Sequence, residues 1–169
     1  MAVTIDATAG GTSANSYCTQ AEAETYFEER LHTEVWDAAT GDDKKAALVW
    51  ARKIIDDRIQ WAGYIADTSQ ALRWPRSGVV NQDGLSVDSD EIPQFLKDAQ
   101  SELAALLIAS DRTMESSTKG YKELGIGRGD IKIVFDKYDR TSVLPDVVWQ
   151  MVRHYGAYIS SVARRLIRV

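Results

Sequence analysis

A chain of 169 residues, 44% hydrophobic and 27% charged, is sized for one domain around one core and falls outside the compositions of disordered chains. Its single cysteine, Cys18, excludes an internal disulfide and any multi-cysteine metal site, and with only His32 and His154 beside it a zinc cage is not expected. Net charge is −5, but residues 150–169 hold Arg153, Arg164, Arg165 and Arg168 and no acid, which leaves 16 basic against 25 acidic groups elsewhere: an acidic body that should not grip nucleic acid, and a basic tail suited to an acidic partner.

Residues 1–18, rich in Thr, Ala, Gly and Ser, read as an extended N-terminal arm. Thr19 followed by Glu22 has capping-box spacing, so a helix should run from there to about Leu31 and bury Ala23, Tyr26, Phe27 and Leu31. Gly41-Asp42-Asp43 opens a second helix, with two acids at its positive end. Ala47, Leu48, Ala51, Ile54, Ile55, Arg58 and Ile59 form its stripe. From Gly63 to Glu91 the periodicity fails: Gln82-Asp83-Gly84-Leu85 is a turn, and Trp74-Pro75-Arg76 cannot sit inside a helix, so a long structured loop is expected. Asp90 and Pro93 start a third helix that carries Leu96, Ala99, Leu103, Leu106 and Leu107 to about Asp111.

Between Gly120 and Tyr138 the rhythm changes to two: Ile131, Ile133 and Phe135 alternate with Lys132, Val134 and Asp136. Tyr121–Ile126 can pair with that strand through the turn at Gly127-Arg128-Gly129-Asp130, giving a β-hairpin over about 120–138. After Leu144-Pro145-Asp146 a last helix is expected, with Val148, Met151, Val152, Tyr155, Ile159 and Val162 on its apolar side and Arg164–Val169 as its basic end. The fold class that follows is mainly α: a bundle of three to four helices, one projecting hairpin and a long structured loop. Its organisation is an arm at 1–18, one helical domain at 19–163 and a basic tail at 164–169. A two-stranded hairpin is marginal alone in water, so Ile131, Ile133 and Phe135 are candidates for contact with another subunit.

The motifs with chemical overtones have plainer readings. Gly125-Ile-Gly127-Arg-Gly129 lacks the helix that a dinucleotide fingerprint requires and is a hairpin turn, as is Arg128-Gly129-Asp130. A calcium loop through Asn81, Asp83-Gly84 and Asp90 would begin at Val79, which has no side-chain oxygen. Ser116-Ser-Thr-Lys119 has no companion β-lactamase elements and reads as a polar linker. Asp56-Asp57 and Glu28-Glu29 are solvated helix faces, because neighbours in a helix point apart. Cys18 has no paired base and reads as a packed side chain. Trp36, Trp50 and Trp61 fall in or beside helical stripes and are assigned to the core rather than to base stacking. No catalytic constellation, metal site or cofactor site is expected, and the protein is not expected to be an enzyme. Met1-Ala-Val-Thr-Ile-Asp6 lacks a signal peptide's regions and no apolar run nears the ~18 residues of a membrane span, so a soluble protein made in a cytosol is expected.

Gly11-Thr-Ser-Ala-Asn-Ser-Tyr17 with Ala21-Glu-Ala-Glu-Thr-Tyr-Phe27, and Gln70-Ala-Leu-Arg-Trp-Pro-Arg-Ser-Gly-Val79 with Asp83-Gly84 and Ile92-Pro93, resemble stretches of a family of small phage proteins. Together with the order of elements they are similar to the head–tail connector, or head-completion adaptor, proteins of long-tailed bacteriophages. Such sequences are also often labelled DnaT-like single-stranded-DNA-binding proteins. The resemblance implies a virion protein of the neck, assembled in the host cytoplasm as a dodecameric ring under the portal. Such a ring extends the channel for genomic double-stranded DNA and offers a platform to the tail or a second connector. It also implies that Arg164, Arg165, Leu166, Ile167, Arg168 and Val169 dock on the portal protein, and that Trp74, Pro75 and Arg76 pin the long loop within the subunit or against a neighbour. The alternative reading is a single-stranded-DNA-binding replication protein, against which stands the pI of 5.1.

Overall fold

The computed structural model describes residues 3–114, 123–126, 131–134 and 142–159. The capping box at Thr19 is formed in both directions: Thr19 Oγ1 accepts from the Glu22 amide at 3.2 Å, and Glu22 Oε2 accepts from the Thr19 amide at 2.7 Å. Two donors that the first turn of α1 (Gln20–Glu28) would leave open are thereby satisfied, a contribution of about 1 kcal/mol. Ala23 and Phe27 are buried as the spacing predicts, and Tyr26 is half-buried. Leu31 is not: it is 80% exposed, because α1 stops at Glu28 and His32 turns the chain with φ at 62°. An unexpected short helix, α2 (Glu34–Ala38), follows and drives Trp36 into the core against Phe27, ring centroids 4.6 Å apart.

Thr40 caps α3 (Gly41–Arg58), where Ala47, Leu48, Ala51, Ile54 and Ile55 are buried. They pack on α4 (Gln94–Ala109), whose Leu96, Ala99 and Leu103 are buried, and this pair forms the centre of the molecule. Each fully buried Leu or Ile there stabilises the fold by about 1.5–3 kcal/mol. The other face of α4 receives α5 (Asp146–Val152) through Val148 and Val152. Trp50 departs from expectation: it is 45% exposed, since its position on α3 falls at the stripe's edge, and Lys53 Nζ lies 5.7 Å from its ring centroid.

The last helix is shorter than its apolar spacing suggests. It ends at Val152, and after a turn at Arg153-His154 the chain becomes strand β6 (Gly156–Tyr158). This strand runs antiparallel to β1 (Ile59–Trp61), which continues directly from α3, with Ile59 opposite Tyr158 and Trp61 opposite Gly156. Gly156 permits that approach, because a Cβ there would lie 2.7 Å from Ile59 Cγ2 and 2.8 Å from the Gln60 carbonyl oxygen. Tyr155, expected on the helix, instead stacks flat on Phe95 at 3.8 Å, and Ile159 is exposed beyond the strand. Val162 lies outside the described residues.

The long loop is structured. Strand β2 (Tyr64–Ile65) pairs with β3 (Arg76–Ser77), and Val80 bridges to Ser86 around a turn in which Asn81 Oδ1 accepts from the Asp83 and Leu85 amides at 3.0 and 2.9 Å. Asn81, a candidate calcium ligand by spacing, is thus committed to its own turn. The hairpin pairs β4 (Glu123–Ile126) with β5 (Ile131–Val134), Leu124 opposite Ile133 and Ile126 opposite Ile131. The whole is a mainly α fold with a β-hairpin, as the sequence pattern indicates. No described helix is long and apolar enough to cross a membrane.

Candidate functional site

Trp74, Pro75 and Arg76 sit inside the protomer. Trp74 is fully buried between Trp61 and Phe95, edge-on to both at 5.6 and 5.7 Å, and the Trp74–Pro75 peptide is cis. The Arg76 guanidinium donates to the carbonyls of Ala62 (2.6 Å), Gly63 (2.7 Å) and Arg73 (3.1 Å), so a buried cation holds two loop segments together through backbone oxygens. The three residues therefore anchor the loop to its own chain. Arg164, Arg165, Leu166, Ile167, Arg168 and Val169 lie outside the described residues, as do Phe135 and Ser116–Lys119, while Ile131 and Ile133 occupy paired positions on β5.

Sequence reading missed a set of buried polar residues. Gln100, on α4, accepts from the Tyr17 amide at 2.8 Å and donates to Ser16 Oγ (2.7 Å) and the Leu48 carbonyl (2.9 Å). It clamps the end of the N-terminal segment to both central helices. That segment is extended but folded on itself, Asp6 and Asn15 exchanging backbone and side-chain bonds, and Ala14, Ser16, Tyr17 and Cys18 are buried. Glu102, also buried, takes a bidentate pair from Arg30 at 2.6 and 2.7 Å and a third bond from the Tyr26 hydroxyl at 3.2 Å. Such residues look like solvated helix positions in sequence, because their partners are 52 or more residues away.

Asp56 belongs to the same class and is no solvated face. It accepts from the Tyr17 hydroxyl at 2.6 Å and from Trp61 Nε1 at 3.4 Å, with Arg52 3.9 Å away; Asp57 beside it is exposed, as expected. Burial raises the Asp56 pKa above 3.8, against the opposing pull of those donors and of Arg52. The native state then holds a proton more readily than the unfolded chain, so this group's contribution to stability falls as pH rises from 3.8 through its raised native value. Asp56→Asn cannot titrate. Urea unfolding across acidic pH should show wild type losing ground to the variant through that window and holding a constant difference above it; a difference independent of pH throughout would refute the shift.

Cys18 is fully buried against Ser101, and burial pushes its thiol up to about 12. With almost no thiolate and no access, it should react with a maleimide at least about a hundredfold more slowly in the native protein than in urea. Equal rates, read by mass, would place the thiol at the surface.

Open clefts on the described surface include the following pair. One, of about 480 Å³, is polar and lined by Glu24, Glu28, Arg30, Thr33, Asp37 and Lys44. The other, of about 470 Å³, is an apolar groove of Ala38, Ala39, Ala46, Trp50, Leu107 and Ile108 with Asp43 at its rim. Both lie along Gln20–Lys45 and the start of α3, where eight acidic side chains face three basic ones. Elsewhere Tyr64, Ile65, Val80 and Leu85 expose apolar surface on the long loop. The carboxylates of Asp88, Asp90 and Glu91 gather there, all exposed, with no buried group beside them that would mark a cation site. The indole N–H groups of Trp36 and Trp74 are buried with no acceptor among the described residues; both rings sit in aromatic contacts.

A family model described as "Putative DnaT-like ssDNA binding protein" matches residues 1–166. No curated protein and no solved structure matches the chain.

Proposed function

The chain belongs to the DnaT-like family just described, whose description favours the second reading below; from the surface of the protomer and the resemblance of its motifs we propose that it is a structural subunit of a ring: the head-to-tail connector of a tailed bacteriophage, seated under the portal. The observation that carries this reading is where the motif residues lie. Tyr17, Ala23, Phe27, Leu72, Trp74 and Val79 are all buried. Their burial supports a role for these motifs in the architecture of the protomer. Around that interior the surface is rich in acids, which repel phosphates and let DNA pass a channel without adhering. Among the described residues each sheet has two strands, and strand edges of that kind invite pairing with further strands. Arg164 to Val169 are assigned to the portal by their basic and apolar character.

Electron microscopy and light scattering of the protein alone and with portal particles test this. Rings bound beneath the portal are expected; a protein that stays monomeric and never joins such particles overturns the reading. Deleting Leu166–Val169 should leave the melting temperature unchanged and reduce co-sedimentation with the portal; unimpaired co-sedimentation removes the tail from the docking role.

A second reading, single-stranded-DNA binding, draws on the family's description and on one feature: Trp50, partly exposed with Lys53 beside it, pairs a stacking ring with a cation. Titrating a labelled oligonucleotide at two salt concentrations discriminates. Tight binding that weakens steeply with salt and is lost in Trp50→Ala favours this second reading.

A further inference from the structure

We propose that the two clefts beside α2 form one docking surface for an extended polypeptide segment of another protein. That segment places a bulky apolar side chain in the Trp50 groove and a lysine or arginine in the neighbouring polar cleft. Docking of this kind does not depend on the ring reading.

The apolar seat is built by α2, α3 and α4 together. Trp36 turns into the core, which leaves Val35 and Ala38, one helical turn apart, on the outward face of α2. Val35 and Trp50 are both 45% exposed. Between Trp50 and the half-buried Leu107 and Ile108, the small side chains of Ala38, Ala39 and Ala46 leave a groove of about 470 Å³. Lys53, 5.7 Å from the Trp50 ring centroid, is outside the groove's lining. An exposed indole bordering a space floored by alanines is a preformed seat for one large side chain, and Trp is enriched among the residues that dominate binding energy.

Charge decides what flanks that side chain. Each of the three cations between Gln20 and Lys45 is already in an ion pair: Arg30 with Glu102 at 2.6 Å, Lys44 with Glu24 at 3.7 Å and Lys45 with Asp42 at 3.9 Å. Glu22 is paired with Lys97. Glu28, Glu29, Glu34, Asp37 and Asp43 have no cation partner among the described residues. Glu28 and Asp37 line the polar cleft, of about 480 Å³, and Asp43 stands at the rim of the groove. The Arg30 guanidinium also donates to the Leu31 carbonyl at 2.6 Å, so the cations in the polar cleft are committed and its open acids favour a positive side chain. The same border repels phosphates, which selects polypeptide over nucleic acid. Asp37 lines one cleft and Ala38 the other, so the two seats lie within a helix width, ~10 Å, of each other. An extended chain covers that span in about three residues.

The test pans a library of short random linear peptides against the immobilised full-length chain. Enriched sequences should share a large apolar residue with Lys or Arg about three positions away. The tightest of them, synthesised with a fluorescein label, should bind the wild type at least about tenfold better than Trp50→Glu or Ala46→Gln, the latter filling the groove from an exposed helix position. Repeating the selection on the double variant Glu28→Lys, Asp37→Lys should lose the basic preference. Matching circular dichroism and melting temperature separate lost binding from lost fold. Equal enrichment on Trp50→Glu, or enriched sequences without the basic residue, overturn the proposal. A Trp50-dependent complex with a labelled oligonucleotide in place of peptides assigns the surface to nucleic acid and also overturns it. Self-association abolished by Trp50→Glu, with no peptide enriched, assigns the surface to a second copy, a third overturning result. All of these are read without portal particles, so the connector reading stands or falls separately.

Discussion

Replacing Trp74 with alanine lowers the unfolding free energy by about 4 kcal/mol and the melting temperature by on the order of 10 °C. The indole is fully buried and touches Trp61 from β1 and Phe95 from α4, and Phe95 in turn stacks on Tyr155 ahead of β6. One ring therefore couples the long loop, the β1–β6 pair and the central helix, and its removal leaves a cavity that those separately anchored elements cannot close. Some of the loss is offset, because the Trp74 N–H is buried without a partner and that cost disappears with the ring. Trp74→Phe separates the two contributions: it keeps most of the aromatic contact, discards the orphaned donor and should cost less than half as much. Equal losses for the two variants, measured by denaturant unfolding, would mean that the ring's packing is not what stabilises this region.

Gln100→Leu is expected to cost about 3 kcal/mol with little change in side-chain volume. The cost arises on the partners: the Tyr17 amide and Ser16 Oγ lose their bonds to Gln100 in a fully buried setting, whereas the Leu48 carbonyl sits within α3. The consequence is also local. Residues 3–16 are held to the body through Ser16 and Tyr17, with further bonds from Arg52 Nε to the Asn15 carbonyl at 3.2 Å and from the Ala71 amide to the Gly11 carbonyl at 3.0 Å, so the variant should become more susceptible to proteolysis in that segment below its melting temperature. Mass spectrometry of early cleavage products reads this. Cleavage distributed as in the wild type, despite a lower melting temperature, would show that Gln100 supports the α3–α4 pair and not the N-terminal segment.

Much of the helical framework was legible from local spacing. The capping box at Thr19 and Glu22, the stripe Ala47-Leu48-Ala51-Ile54-Ile55, the Pro93 boundary and the alternation from Ile131 to Val134 each depend on residues a few positions apart, and each is present. The same local rules misjudged elements whose fate is decided at a distance. Val148, Met151, Val152 and Tyr155 have helical spacing, yet the chain after Val152 turns into a strand because β1, about 100 residues earlier, offers unpaired backbone beside Gly156. Leu31 has the spacing of α1 but lies past the point where the helix ends.

Among candidate sites, the order Trp74-Pro75-Arg76 marked a special position, and the choice between an internal anchor and an exposed contact was open until Ala62, Gly63 and Arg73 were seen around the guanidinium. Asp56, Gln100 and Glu102 had no sequence signal at all, and the apolar groove had little, since Trp50 reads as a core residue by its spacing.

Composition, charge segregation and short-range periodicity determined, without any structure, that this is a mainly α chain with a hairpin, an acidic body and a basic end. Tertiary structure alone decided which polar side chains are interior, which tryptophan meets solvent and where the last helix stops. The physical reason is one of range. Capping and amphipathic spacing are settled within one or two turns of the chain, whereas burial of a polar group becomes tolerable only when a partner from a remote segment arrives to hydrogen-bond it.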